Sequence, residues 1–266
     1  MKRIFKYTAM LMLGASIAGC ATSAITGRKY LKLVDSQQIN DQAALAYKDF
    51  LSKNNSKVVT GTAAATQVKR VGSNIAVAAN QYLKQLGLAD KFNFNWEFNL
   101  IESPDVNAWC MPGGKVAVYT GILPVAKNDA GLATVMGHEI AHAIEEHSVS
   151  QYSNAMAAQY GAQILGAAGA MSNSKYIGIF NQLYGIGYQV GSLRFSRNDE
   201  LAADKAGLIL MAMAGYDPNE SIKFWERMAQ GKSGNPPEWL STHPSDARRI
   251  AQLQAMIPEV MKYYKK

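Results

Sequence analysis

Residues His138-Glu139-Ile140-Ala141-His142 set two imidazoles four positions apart around a glutamate, within a run that carries no other charge from Val135 to Ile144. On a helix, positions i and i+4 leave the same face one turn apart, so both rings can grip a single metal ion. Glu139 then points toward the space where a water on that ion would sit. A surface helix with two incidental histidines would carry charged neighbours. This one does not, and it is expected to be buried. The chain must therefore fold so that a metal-binding helix lies inside it and another element completes the site.

A catalytic zinc takes a third protein ligand and keeps one position open. The extended pattern H-E-x-x-H-x-x-G-x-x-H fails here, because Glu145 stands where its glycine belongs and Ser148 where its last histidine belongs. Glu146 lies one turn further along, but a straight helix does not easily wrap three ligands around one ion. His147 would project about 140° away from His142 on a continuous helix, and is expected to be exposed near a helix end. The remaining source is a second helix. In Ser196-Arg197-Asn198-Asp199-Glu200-Leu201-Ala202-Ala203-Asp204, Glu200 and Asp204 share a face as His138 and His142 do, and Leu201, Leu208, Leu210 and Met211 allow that helix to be buried. Glu200 is the candidate third ligand. Asp204 is placed to accept the spare N–H of a ligand histidine and fix its tautomer. A solvated acidic face is the alternative reading of that pair.

The remainder divides into mostly helical segments with one small sheet. Ser36–Asn54 and Thr62–Leu86 read as helices, the second with Val68, Val71, Ile75 and Tyr82 at helical spacing. Phe92, Phe94, Trp96 and Phe98 alternate with Asn93, Asn95, Glu97 and Asn99, which predicts a strand with one buried face. Val106–Met111, the turn Pro112-Gly113-Gly114 and Lys115–Tyr119 predict a hairpin. From Asn128-Asp129 one long helix is expected through the histidines to His147 or beyond. Ala155–Gly191 is rich in Ala and Gly, but polar residues interrupt it before spanning length; packed helices are expected there, or a mobile lid. Further helices are expected over Asn198–Ala214, from Pro218 to Gln230, and from Pro244 to the C-terminus with a break at Pro258. Gly231–Pro237 reads as a loop. The class is α+β.

The N-terminus reads as an export signal over residues 1–19, with Lys2, Arg3 and Lys6 before a short apolar stretch from Tyr7 to Ala18. That stretch is too short to span a membrane comfortably, which takes about 20 residues. Ile17-Ala18-Gly19-Cys20 matches a lipobox, so Cys20 is the expected lipidation site, residues 20–35 a lipidated tether, and residues 36–266 a single domain. Lipidation of one of the two cysteines leaves Cys110 without an intramolecular partner, and it is expected to be a packing residue. Of 27 basic residues three lie in the signal; the other 24 against 20 acidic ones leave only +4, with no basic run interleaved with aromatics. Nucleic acid is therefore not an expected partner.

Four ordered blocks resemble the zinc endopeptidase family that includes HtpX and the CAAX prenyl proteases, across roughly 101–250. They are Asn107-Ala108-Trp109-Cys110-Met111-Pro112-Gly113-Gly114 with Val118-Tyr119-Thr120-Gly121; the H-E-x-x-H; Ser196-Arg197 to Asp204; and Ser241-Thr242-His243-Pro244-Ser245 with Arg248. The Trp109-Cys110 pair departs from the family's smaller or aliphatic residues. The resemblance implies a mostly helical, zincin-like domain with a small sheet at the active-site edge. It implies one Zn²⁺ per chain held by His138, His142 and Glu200, with Glu139 as catalytic base. His243 is the candidate second donor to the oxyanion; a structural cap at the start of the last helix is its other reading. Arg248 is a candidate to orient His243 or an acidic neighbour. Asn107, Ala108 and Trp109 form the expected edge along which an extended polypeptide binds.

These readings together predict a lipid-anchored zinc endopeptidase on the periplasmic side of a bacterial envelope, acting on unfolded or misfolded envelope proteins. Ala21 after Cys20 points to the outer rather than the inner membrane. Two other classes stay open: a chaperone or assembly factor that holds clients in the groove, and a hydrolase of peptidoglycan cross-links or another small amide.

Overall fold

The computed structural model describes residues 19–166, 173–184, 195–230, 239–240, 243 and 247–264. A hairpin of β1 (Cys20–Thr22) and β2 (Lys29–Leu31) comes first, followed by α1 (Ser36–Lys53), β3 (Val58–Val59) and α2 (Ala63–Gln85). Strands β4 (Glu97–Ile101), β5 (Ala108–Met111) and β6 (Lys115–Tyr119) lead through a short α3 (Leu123–Ala126) to α4 (Asp129–Ile144), which carries the two histidines. After it come α5 (His147–Gly166), α6 (Asn173–Tyr184), α7 (Arg197–Met213), α8 (Glu220–Gln230) and α9 (Ala247–Val260). Among the described residues the fold is mostly helical, with a small mixed sheet in addition to the β1–β2 hairpin, in line with the expected class. No described helix is long and apolar enough to cross a membrane.

The sheet runs in the order β3-β4-β6-β5; β6 pairs parallel to β4 and antiparallel to β5, which leaves β5 at the edge. In register, Phe98, Val116 and Cys110 lie side by side, as do Leu100, Val118 and Ala108. That face packs into the large core with α2 and α4. The opposite face carries Trp109, Met111 and Ala117, which join Ile39, Ala43, Tyr47 and Phe50 of α1. Trp109 meets Tyr47 and Phe50 edge-on, with ring centroids 5.7 Å and 5.1 Å apart. The alternating aromatics begin their strand late: only Glu97 onward is β4, and Phe92, Phe94 and Trp96 instead stack on one another in half-buried extended chain. Gly113 and Gly114 at the hairpin turn, with φ of 77° and 88°, let Trp96 lie across the turn; a Cβ on Gly114 would sit 2.6 Å from its ring.

Local chemistry starts both site helices. Asn128 caps α4 by accepting from Gly131 N, and Ser196 and Asp199 form a reciprocal capping box on α7. Where the two helices cross, their backbones touch. A Cβ on Gly207 would lie 2.9 Å from His138 N, and one on Gly137 would lie 3.0 Å from Gly207 O.

Two expectations about helix ends are corrected. The long helix from Asp129 does not continue past His147: it ends at Ile144, and Glu146 has φ of +54° before α5 restarts at His147. Side chains from the N-terminal segment hold that break. Tyr30, Ser36 and Lys32 donate to the Glu146 carboxylate, while Ile25 N and Thr26 N donate to Glu145. Residues 20–35, read from the sequence as a tether and entry segment, pair in their first part as β1–β2, and the segment packs on the end of the helix that carries the two histidines. Pro258 lies inside α9 and does not break it. Gly231–Pro237, and much of the stretch after Gly166, lie outside the described residues.

Alanine in place of glycine inside a helix ordinarily stabilises by up to about 1 kcal/mol. At Gly207 the backbone clash reverses the sign, and Gly207→Ala is expected to destabilise by about 1–3 kcal/mol, as overpacking does. Thermal unfolding of the two proteins checks it; a rise in Tm for the variant would contradict the contact.

Candidate metal centre

Every residue predicted to ligate is buried, and all face one point. His138 Nε2 lies 3.1 Å from His142 Nε2 and 3.5 Å from Glu200 Oε2, and His142 Nε2 lies 3.4 Å from Glu200 Oε1. Donors held about 2.0–2.1 Å from one ion in tetrahedral array are themselves on the order of 3.3 Å apart. The triangle therefore has the edges a zinc ion requires. Glu200 Oε1 is buried without a hydrogen-bond partner, a cost that a cation in the triangle removes. His243 brings its Nε2 to 3.9 Å from Glu200 Oε1, and the four residues offer donor atoms within 4.8 Å of one another. The donor set fits one zinc ion.

Each donor has further partners. Asp204 Oδ1 lies 2.9 Å from His138 Nδ1 and so accepts that N–H, leaving the Nε2 lone pair toward the centre. Arg249 donates from Nε and NH2 to Asp204 at 2.8 and 2.7 Å, and from NH1 to Glu200 Oε2 at 2.9 Å. Its guanidinium lies 3.7 Å over the Trp225 ring. Sequence reasoning named Arg248; the arginine seated on the two carboxylates is its neighbour, while Arg248 is exposed. Trp239, also missed, donates from Nε1 to Glu139 Oε1 at 2.7 Å. Glu139 Oε1 is 3.6 Å from His243 Nε2, so the two side chains flank the same space. The other residues of the Ser241–Ser245 block lie outside the described residues.

His147 is the clearest correction. It is fully buried, with Nδ1 2.8 Å from His142 Nδ1, because the turn at Glu145–Glu146 resets the helical phase on which its outward projection was calculated. Glu145 and Glu146 bond to the N-terminal segment and not to the donors. Ala108 and Trp109 lie in the edge strand with buried side chains, so they offer that edge by backbone alone. Asn107 is half-buried just before it, and its carbonyl accepts from Tyr119 N.

The electrostatics follow from burial. Desolvation pushes the Glu139 carboxyl up to about 7. Burial opposes charge on His138, but hydrogen bonds to Asp204 and Glu200 outweigh it and raise it to about 9. Burial lowers His142 to about 4, and depresses His147 and His243 well below the usual imidazole range. Burial works against ionised Glu200 and Asp204, yet His243 and the ligand histidines hold Glu200 far below its ordinary value, and Arg249 with His138 holds Asp204 low.

Two buried histidines and a distant glutamate around a common point, with a buried glutamate base beside them, define a metal-dependent peptidase of the H-E-x-x-H class. Residues 63–257 match Peptidase family M48, and the chain belongs to that family as a metalloendopeptidase. It is 33% identical to the mitochondrial metalloendopeptidase OMA1 of Schizosaccharomyces pombe, over 93% of this chain and 72% of that protein. It is 30% identical to metalloendopeptidase OMA1 of Homo sapiens, over 90% of this chain but 46% of the relative. A putative beta-barrel assembly-enhancing protease of Vibrio cholerae is 30% identical over 64% of this chain and 37% of its own length. Against these last two, the chain spans half the relative's length or less.

A histidine raised from 6.5 to about 9 on folding contributes stability that is complete below pH 6.5 and lost as pH rises through 9. Above about pH 7.5 the other three histidines are neutral in both states, and Glu139, at about 7, has largely given up its proton. Metal-free protein should therefore lose stability from about pH 7.5 to 9, by at most about 1.4 kcal/mol per pH unit for the proton on His138. Zinc replaces that proton, so its binding should tighten over the same range. Denaturant titrations in chelator, repeated with zinc, read both; a flat metal-free profile would contradict the assignment.

Proposed function

We propose that the chain is a zinc endopeptidase anchored by lipid at Cys20 to the periplasmic side of a bacterial envelope, the outer membrane before the inner, where it cleaves unfolded or misfolded envelope proteins. One observation carries the hydrolase: Glu139 is buried beside the donors of His138, His142 and Glu200, with its carboxyl pushed toward neutral pH. A site for holding clients needs no such base. When bound there, zinc supplies a water whose pKa falls from about 15.7 toward about 7 and polarises the scissile carbonyl.

The side chains perform the rest. Glu139 takes the proton of the attacking water and returns it to the leaving amine, a role that contributes about 10²–10⁴-fold. Its elevated pKa suits both directions of transfer near neutral pH. His243 Nε2 lies 3.6 Å from Glu139, and in the tautomer with its hydrogen on Nε2 the ring donates to the developing oxyanion. Asp204 fixes the tautomer of His138, and Arg249 balances the charge of Asp204 and Glu200. Edge strand β5 supports strand addition at Asn107, Ala108 and Trp109, because an edge leaves backbone groups for an extended chain and β-augmentation reads backbone before side chains. Flexible polypeptides present such backbone; folded ones do not. The name of the Vibrio cholerae relative supports an envelope role, and the exposed Cys20 at the start of β1 supports the anchor.

Glu139→Gln should retain zinc yet lower cleavage of an unfolded casein by at least about 10²-fold, and chelation of the wild type should abolish cleavage until zinc is restored. Wild-type rates in either case would end the proposal; client rescue undiminished in Glu139→Gln would favour a chaperone. Cys20→Ala should move the protein from the membrane to the soluble fraction on fractionation, and unchanged membrane association would exclude this anchor.

A further inference from the structure

His147 has no part in the reaction as described, yet it is fully buried and its Nδ1 approaches a ligand histidine to 2.8 Å. Two neutral imidazoles share one hydrogen between facing nitrogens, so one ring donates and the other accepts. The surroundings decide which. Behind His147, its Nε2 lies 3.6 Å from Asp199 Oδ1, and both atoms are buried without an aligned hydrogen bond. A carboxylate oxygen accepts only, so a favourable contact there needs the hydrogen on Nε2 of His147. Arg28 already sets its NH2 3.0 Å from the same oxygen, and a second positive charge on the buried ring is disfavoured. A neutral His147 protonated at Nε2 has a bare Nδ1. His142 then carries its hydrogen on Nδ1, and its bare Nε2 is the nitrogen that faces His138 Nε2 and Glu200 Oε1.

We propose that His147 is the positioning residue of the metal centre for His142: its Nδ1 accepts the His142 Nδ1–H, and Asp199 holds the His147 ring in that tautomer from behind. The two ligand histidines are thereby fixed from separate elements, His138 by Asp204 of α7 and His142 by the first residue of α5. Phe195, stacked on His142 at 3.9 Å, holds the ring plane but cannot choose the tautomer. The acceptor sits five residues beyond the ligand, where a continuous helix would carry it away; the positive φ of Glu146 returns it. The N-terminal segment contributes at both ends of this chain of contacts, through Arg28 on Asp199 and through Tyr30, Lys32 and Ser36 on Glu146.

The inference rests on His142 being a ligand, and two readouts keep it separable from that reading. The full chain has four histidines, so selective ¹⁵N labelling of their rings gives four spin systems to assign. In metal-free protein the long-range ring correlations should show His142 protonated at Nδ1 and His147 at Nε2. Because this is read without zinc, it holds or fails whether or not the enzyme is active; His142 protonated at Nε2 in the wild type overturns the proposal. The second readout is zinc affinity by competition with a chelator. His147→Leu removes the acceptor and should bind zinc about 10–100-fold more weakly. His147→Asn places an amide oxygen close to the position of Nδ1 and should stay within about threefold of wild type. A purely structural role would weaken both in step with their loss of Tm. Equal zinc affinities for the two variants overturn the proposal, and if His147→Leu fails to fold, the wild-type tautomers and His147→Asn still decide it.

Discussion

The contact between Gly137 of α4 and Gly207 of α7 is the constraint from which the metal centre follows. Glu200 lies 62 positions beyond His138 in sequence, and a carboxylate reaches a histidine on another helix only if the two axes pass closely. With any side chain at the crossing, the helices would sit further apart and the 3.4–3.5 Å approaches from Glu200 to the two rings would open. The near-absence of charge along α4, which first drew notice as a sign of burial, has the same origin. A helix whose backbone touches one neighbour and whose flanks meet α2 and β5 has no exposed face left for charge.

Burying that helix creates an electrostatic problem that the fold answers locally. Glu139, Glu200 and Asp204 are all nearly inaccessible, and among them stands Arg249. A buried carboxylate without a partner costs several kcal/mol. Arg249 bridges two of the three, and Trp239 gives the third a single neutral hydrogen bond. The unequal shares separate the roles. Glu200 and Asp204 are held ionised, which suits the ligand and orienting roles proposed for them, while Glu139 is left near neutrality, which suits its proposed role in taking and returning a proton.

What the sequence disclosed and what it hid divide along one line. His138 with His142, and Glu200 with Asp204, could be read because spacing within a helix is a local property. The hairpin could be read because Pro112-Gly113-Gly114 announces its turn. Arg249 could not be told from Arg248 in the sequence: one residue on a helix is a rotation of about 100°, and here the difference between buried and exposed. The start of α9 offered no anchor to fix that phase. Trp239 looked like any apolar residue near a loop. His147 was misplaced because the break before it carries no glycine or proline, the usual marks of a helix end. A glutamate in the left-handed region is unfavourable by itself, and Glu146 adopts it because three side chains more than a hundred positions away receive its carboxylate.

That dependence gives the N-terminal segment a place in the logic of the site. Residues 25–36 satisfy both glutamates of the break, and Arg28 reaches the carboxylate behind His147. A fold that needed this segment only as a leash would leave Glu145 and Glu146 to solvent, where water satisfies them at no cost. Burial of both, at 0% and 8% exposure, makes the hairpin a structural wall of the metal centre. Were the proposed lipid carried by Cys20, at the first position of β1, the anchor and that wall would be the same element. The membrane would then be joined to the domain a few residues from the groups that set the phase of the histidines, and not through a long flexible chain.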